Sequence, residues 1–364
     1  MSVAAKLICT ECRAEAAPLD WRCTQCGGPI DFADPLYFRS EQIDEGDFSL
    51  WRYAAMLPVE RRFTLGEGMT PLTVIDLDGM RVYAKLEYLN PTGSYKDRGT
   101  VTMMNHLLVH GVQAVVEDSS GNAGASVAAY STASGIYARI FVPATAAAGK
   151  KALISRFGGE LVEVPGPQHA KTEACIAAAE KTTYASHAWS PYFVLGQTTI
   201  AWEVWEQMRW RVPDAIVSPV GHGGLFLGFA RGYQTLYEAG LIDRVPRMIA
   251  VQSAGCDPIV RAWETGAEVP PHVTPTPTVA DGIIVETPVR GKEVMRAIRE
   301  SNGAAIRVDN EAILDAQTRL AWKGLIVEPT SATAAAAIPE VRRLLGPDVE
   351  IVMPFTGNGL KMLS

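Results

Sequence analysis

Ala215-Ile-Val-Ser-Pro-Val-Gly-His-Gly-Gly-Leu225 is a short apolar run that breaks on a glycine loop, and residues 226–239 then read as a helix. A run this short with no polar alternation reads as a strand buried on both faces, and glycines at its carboxyl end leave main-chain N–H groups uncovered. The same grammar recurs along the chain. VEDSS (116–120), RIFVP (139–143), LVEVP (161–165), RMIAVQ (247–252) and EIVMP (350–354) each read as a buried strand closing on turn residues. Ala-rich helices are predicted between them over 123–134, 147–157, 169–181 and 199–210. Strands alternating with helices of that length predict an α/β fold of mostly parallel sheet with helices on both faces. The stretch 269–279, with four prolines in eleven residues, is a surface loop on this reading.

At 364 residues the chain is long enough for two domains and a small appendage. Hydrophobic residues make up 48% and charged residues 20%, an ordinary balance for a globular protein. The formal net charge of −7 gives no attraction to phosphate backbones or anionic membranes, so neither nucleic acid nor membrane is expected as a partner. No run of about 18 uncharged apolar residues reads as a membrane span, and no signal-peptide pattern opens the chain. A cytoplasmic location is expected.

The chemistry begins at Asn90-Pro-Thr-Gly-Ser-Tyr-Lys96-Asp-Arg-Gly99, where Pro91 and Gly93 break a strand and Lys96 opens a helix. Held at such a junction, a lysine amine can add to a carbonyl and form a Schiff base. Three further segments supply what a phosphorylated pyridine aldehyde needs. Ser119-Ser120-Gly121-Asn122-Ala123-Gly124 opens a helix with N–H groups suited to a carboxylate, and the Asn122 amide can bond a ring hydroxyl. Gly221-His222-Gly223-Gly224-Leu225 lets several N–H groups converge on a phosphate. Thr356, opening Thr356-Gly357-Asn358-Gly359-Leu360-Lys361, offers a hydroxyl to a pyridine nitrogen. All lie at carboxyl ends of predicted strands, where open α/β sheets bind ligands.

At these residues the chain resembles the fold-type II pyridoxal-phosphate enzymes and, within them, the threonine synthase-like subfamily. The landmarks are LGEGMTPL (65–72), KLEYLNPTGSYKDRG (85–99), SSGNAG (119–124), GQTT (196–199), EPTSA (328–332) and TGNGLK (356–361). The resemblance implies two open, mostly parallel twisted sheets, with a large cofactor domain over 36–100 and 190–364 and a small substrate domain over 101–189. It makes Lys96 the residue that carries pyridoxal phosphate and takes the α-proton. Asn122 then holds the ring hydroxyl, the loop from Gly221 through His222, Gly223 and Gly224 to Leu225 holds the phosphate, and Thr356 faces the ring nitrogen. Ser94, Ser119, Ser120, Gly121, Ala123, His187 and Phe193 are the substrate candidates, the substrate is a small amino acid, and a homodimer is expected.

The departures carry as much. Resembling sequences bind a substrate phosphate with an Asn-Ser pair and an arginine ahead of the GQ-T motif, where this chain has His187, Ala188 and Phe193. Losing an arginine–phosphate pair costs a few kcal/mol of binding. The expectation is therefore elimination or replacement at the β or γ carbon of an amino acid with another leaving group. Threonine synthesis from O-phosphohomoserine, serine/threonine dehydratase-like deamination and a non-catalytic cofactor-binding scaffold are the alternatives. His222 touches the ligand or points outward with equal justification, and His187 is either part of the substrate pocket or a hydrogen-bonded structural histidine.

Four of the six cysteines fall in residues 1–35. Cys9-x2-Cys12-x10-Cys23-x2-Cys26 has the spacing of a small zinc ribbon whose four thiolates leave no open position, so the metal is structural. Lys6, Arg13 and Arg22 are outnumbered there by Glu11, Glu15, Asp20, Asp31 and Asp34, which favours packing on the protein body over binding nucleic acid. Cys175 and Cys256 are expected to be buried thiols.

Overall fold

The structure, a computed structural model, describes residues 5–167 and 169–362, so the first four residues of the expected ribbon segment lie outside it. In chain order the first strands are β1 (Leu7–Cys9), β2 (Glu15–Ala16), β3 (Ile30–Phe32), β4 (Leu72–Leu77), β5 (Met80–Lys85) and β6 (Ala114–Glu117). They are followed by β7 (Tyr137–Pro143), β8 (Glu160–Val164), β9 (Thr183–Tyr184), β10 (Ala215–Pro219), β11 (Arg247–Ser253), β12 (Ala304–Val308) and β13 (Ile351–Pro354). Two compact units result, one of residues 1–68 and 90–196, the other of residues 69–89 and 197–364.

The first unit holds an antiparallel ribbon, β2-β1-β3, and a four-stranded sheet ordered β8-β7-β6-β9 in which every pairing is parallel. The ribbon packs on the rest of its unit. Trp21 meets the rings of Tyr184 and Trp189 edge-on at 5.2 Å in each case, and Phe32 meets Tyr192 at 5.0 Å. The second unit holds a six-stranded sheet, β12-β11-β10-β13-β5-β4, parallel except for the antiparallel edge strand β4. Every residue of β10 and β13 is buried, as strands covered on both faces must be. The α/β architecture read from residues 215–225 is the one observed.

Local boundaries differ where polar residues intrude. The strand expected over 116–120 ends at Glu117, and Asp118 turns aside to bond Lys171, Thr172 and Tyr184. The helix expected from 199 begins at Pro191, whose missing N–H costs nothing in a first turn. The strand expected before Pro91 is β5, which ends at Lys85 ahead of a helical turn at Glu87–Leu89. Strands β4, β9 and β12 are additional to the strands expected, and β4 is mostly half-buried or exposed, as an edge strand is.

Residues 36–68, 90–100 and 190–196 group with the four-stranded sheet, whereas the resemblance sets them with the larger domain. Buried polar anchors account for that grouping. Glu67 accepts from Trp51 Nε1 (3.1 Å), Thr64 Oγ1 (2.8 Å) and Tyr130 Oη (2.8 Å), and Asn105 Nδ2 donates to the Phe63 carbonyl at 3.0 Å. In the other unit the landmark Lys85 is wholly buried and donates to Glu203 (2.8 Å), Gln207 (2.9 Å) and the Thr70 carbonyl (2.7 Å). Its three donors are satisfied, so it is a structural lysine.

Candidate active site

In the first unit Lys96 is the first residue of the helix Lys96–Val109. The turn before it is clamped from within the helix. Buried Asp97 accepts from Thr92 N (2.7 Å), Thr92 Oγ1 (2.6 Å) and Ser126 Oγ (2.7 Å). Burial pushes this carboxyl up to about 6 despite those bonds. Lys96 itself is half-buried, its Nζ 4.8 Å from the Tyr95 ring centre and 5.6 Å from that of Phe193. The lysine is thus fixed at its backbone and bounded by two aromatic faces.

The second loop of this unit leads from β6 to the helix Asn122–Ala133. Gly124 is dictated by its surroundings, since a Cβ there would lie 1.9 Å from the Ser119 carbonyl oxygen. Ser119 Oγ accepts from Gly121 N at 3.3 Å, and the N-cap residue Gly121 makes no side-chain cap bond to the helix. Ser119, Ser120, Gly121 and Asn122 are half-buried and Ala123 is buried.

Phe193 and Ala188 are buried as well, with Phe193 1% exposed. Their neighbour His187 is bonded through Nδ1 to Glu117 Oε1 at 2.7 Å and meets the Phe193 ring edge-on at 6.0 Å. His187 therefore has the hydrogen bond that a structural histidine needs, and it also lies beside the Phe193 ring that borders Lys96. Glu117 escapes a reading of the sequence because it sits inside a run that looks like plain buried strand.

The second unit holds the glycine loop and the threonine within itself. The loop at 221–225 follows β10 and opens the helix Gly224–Glu238. Gly223 has φ of +100°, and a Cβ on it would lie 2.5 Å from Val294 Cγ2, so both backbone and space demand glycine. Gly221 and His222 are half-buried and Leu225 is buried. Beyond β13, buried Thr356 Oγ1 lies 2.9 Å from Ser331 Oγ, which also accepts from Gly357 N at 2.8 Å. Ser331 stands within the EPTSA landmark, but its part in holding Thr356 emerges only from the structure.

In the ribbon the four cysteine sulfurs lie within 4.8 Å of one another. Main-chain N–H groups of Glu11 and Cys12 point at Cys9 Sγ (3.4 and 3.5 Å) and that of Gln25 at Cys23 Sγ (3.4 Å). Such donors stabilise thiolates, and the donor set fits a four-coordinate thiophilic ion. Cys175 and Cys256 are buried thiols.

Residues 63–357 match the family described as pyridoxal-phosphate-dependent enzyme. The chain belongs to that family. It is 34% identical to the threonine synthase of Methanosarcina acetivorans across 98% of this chain and 92% of that protein. It is also 34% identical to the threonine synthase of Methanocaldococcus jannaschii, across 93% and 92%. Among solved structures a T.th. threonine deaminase superposes with a TM-score of 0.69 at 27% identity, covering 79% of this chain and 92% of that one. The protein is a threonine synthase-like, fold-type II, pyridoxal-phosphate-dependent lyase.

The residues present fit that cofactor. Ser94 Oγ is fully buried with no hydrogen-bond partner among the described residues, a polar atom awaiting a ligand two residues before Lys96. The chemistry of the remaining donors suits an anionic ester and a pyridine: main-chain amides at a glycine-opened helix, a carboxamide and a neutral hydroxyl pair.

Proposed function

We propose that this lyase eliminates or replaces a substituent on the β or γ carbon of a small amino acid whose leaving group is not phosphate. The observation that carries the reading is the segment from His187 to Phe193. Two of the three positions used for a substrate phosphate in resembling sequences are buried and apolar here, and the third is engaged with Glu117. An anion brought against Phe193 would lose hydration with no guanidinium to compensate it.

Lys96 carries the cofactor in this reading and, once released by the incoming amino acid, takes the α-proton. Bound pyridoxal phosphate supplies the electron sink that makes that proton acidic. Asn122 orients the ring hydroxyl, and Gly221, His222, Gly223, Gly224 and Leu225 bind the phosphate. Thr356, held by Ser331, meets the ring nitrogen as a neutral partner, which tempers the sink and suits elimination and replacement better than transamination. Ser94, Ser119, Ser120, Gly121 and Ala123 receive the substrate's carboxylate and backbone. A structural zinc ion occupies Cys9, Cys12, Cys23 and Cys26, and the enzyme works as a homodimer in the cytoplasm.

A second reading, threonine synthase acting on O-phosphohomoserine, is favoured by the two threonine synthases named above. The experiment that separates them starts from the purified protein and Lys96→Ala. Wild type is expected to show a visible cofactor band that borohydride removes and that the variant lacks. Turnover in the variant should drop by about 10⁴-fold or more, because nucleophile and base are lost together. Phosphate release from O-phosphohomoserine at a rate above that for any unphosphorylated amino acid would establish the second reading instead.

A further inference from the structure

Glu117 is a buried acid that the mechanism above does not use. It is 0% exposed at the carboxyl end of β6; its Oε1 meets His187 Nδ1 at 2.7 Å, and its Oε2 has no hydrogen-bond partner among the described residues. A fully buried carboxylate with one bare oxygen is costly as an ion and far cheaper as an acid. We propose that Glu117 and His187 form a proton-donating dyad that protonates a hydroxyl leaving group on the β carbon of the substrate. The proposal rests on the preceding reading of an unphosphorylated amino acid substrate, and it names the class: β-hydroxy amino acids.

The surroundings set the proton inventory. Asp118, next along the chain, is held down to about 2 by Lys171, Thr172 and Tyr184 against the cost of its burial. Glu117 is driven the other way, well above the ordinary carboxyl range, first by burial and then by the charge on Asp118, with Lys171 and Lys96 opposing. His187 is held well below the usual imidazole range by burial and by the charge on Lys96. Cys175, from the helix Ala170–Ala179, has its thiol pushed up by burial and by both acids, so it is no competing base at neutral pH; Arg139 on β7 acts weakly in the opposite sense. Two adjacent carboxyl groups forced apart in this way divide into an ion and an acid.

The step balances. The Cα–H proton passes to the Lys96 amine and its electron pair forms the Cα–Cβ double bond. The Cβ–O bond breaks with its pair on oxygen, which takes the Nε2 proton of His187 while Nδ1 takes the proton of Glu117. Water leaves, Lys96 holds one proton more and Glu117 one fewer, and solvent resets both. A phosphate departs as a stable anion and needs no such donor, so an acid where resembling sequences bind phosphate is consistent with a poorer leaving group. His187 is the catalytic residue, and Glu117 positions and recharges it.

The test uses the holoenzyme, its Glu117→Gln and His187→Gln variants, and two substrates, serine and O-acetylserine, whose acetate leaves without a proton. Turnover of serine should fall at least about 100-fold in both variants with little change in KM, while O-acetylserine should lose less than about fivefold. Retention of the cofactor band reports that each variant is folded. Histidine ¹⁵N spectra give a reading independent of turnover. At pH 7 the resonance missing from His187→Gln should be a neutral ring with its proton on Nε2 in wild type. An imidazolium, or a proton on Nδ1, overturns the proposal. Equal slowing on both substrates keeps the functional reading and overturns the dyad alone. Turnover of O-phosphohomoserine, with neither serine nor O-acetylserine consumed, sinks the functional reading and the dyad with it.

Discussion

Two carboxylates of the first unit, each fully buried, do different things. Asp97 lies in the Lys96 turn and receives three hydrogen bonds, two from Thr92 and one from Ser126. Among the described residues Glu117 makes one side-chain bond, to His187, and keeps an oxygen bare. Both are pushed up by burial, so perturbation alone does not separate a clamp from a reagent. The use of both oxygens does. A buried acid with each oxygen hydrogen-bonded has been used up by the fold, whereas one with an idle oxygen still has chemistry to offer.

The comparison breaks first on truncation. Asp97→Ala strands three buried donors and should cost about 3–5 kcal/mol in urea unfolding of the holoprotein, with weaker cofactor retention. Glu117→Ala strands one partially accessible imidazole and should cost about 1–2 kcal/mol. Equal losses would mean that Glu117 is as structural as Asp97.

A second, smaller effect uses pH. The Asp97 carboxyl rises from its ordinary 3.8 to about 6 on folding, so the native state binds more protons than the unfolded chain between those values. The stability associated with Asp97 is therefore greatest below about pH 4 and declines as pH rises through about 6, a loss of about 3 kcal/mol. Asp97→Asn removes that group from the titration, so the difference between its profile and that of wild type should change by this amount across the window and stay flat above pH 7. A difference that is flat throughout would place the folded-state value near the ordinary one.

What can be read from sequence follows the same division between backbone and side chain. The loops at 119–124 and 221–225 are legible because glycine records a backbone demand directly: a Cβ at Gly124 or Gly223 would collide with its surroundings. The cysteine spacing is legible for a similar reason, since two short knuckles bring four sulfurs together with little help from the rest of the chain. Glu117 is not legible. Its meaning depends on His187, 70 residues away in the chain, and on a bare Oε2 that no local pattern encodes. Ser331 is hidden for the same reason, because its role is to hold Thr356, 25 residues on. Resemblance sets residues 36–68 with the wider sheet, while the hydrogen bonds of Glu67 and Asn105 tie them to the helices of the first unit.

The smallest expected effect bears most directly on substrate choice. If Phe193 and Ala188 exclude phosphate by lacking charge and donors, the double variant Ala188→Ser, Phe193→Arg should recover an anion site. The change carries its own penalty, because Phe193 is buried and its ring centre stands 5.6 Å from Lys96 Nζ, so a guanidinium there meets a like charge in a poorly hydrated place. Without ligand the variant should therefore be less stable than wild type. Phosphate relieves both problems, since it supplies the counter-charge and bidentate hydrogen bonds to the new arginine. With a Kd of about 1 mM, about 20 mM phosphate should restore about 2 kcal/mol to the variant by mass action and leave the wild-type midpoint unmoved. Chloride at matched ionic strength controls for screening. A wild type stabilised as strongly as the variant would show that His187 and its neighbours already accept phosphate. The contrast between a clamp bonded at both oxygens and an idle acid would then no longer argue for a different leaving group.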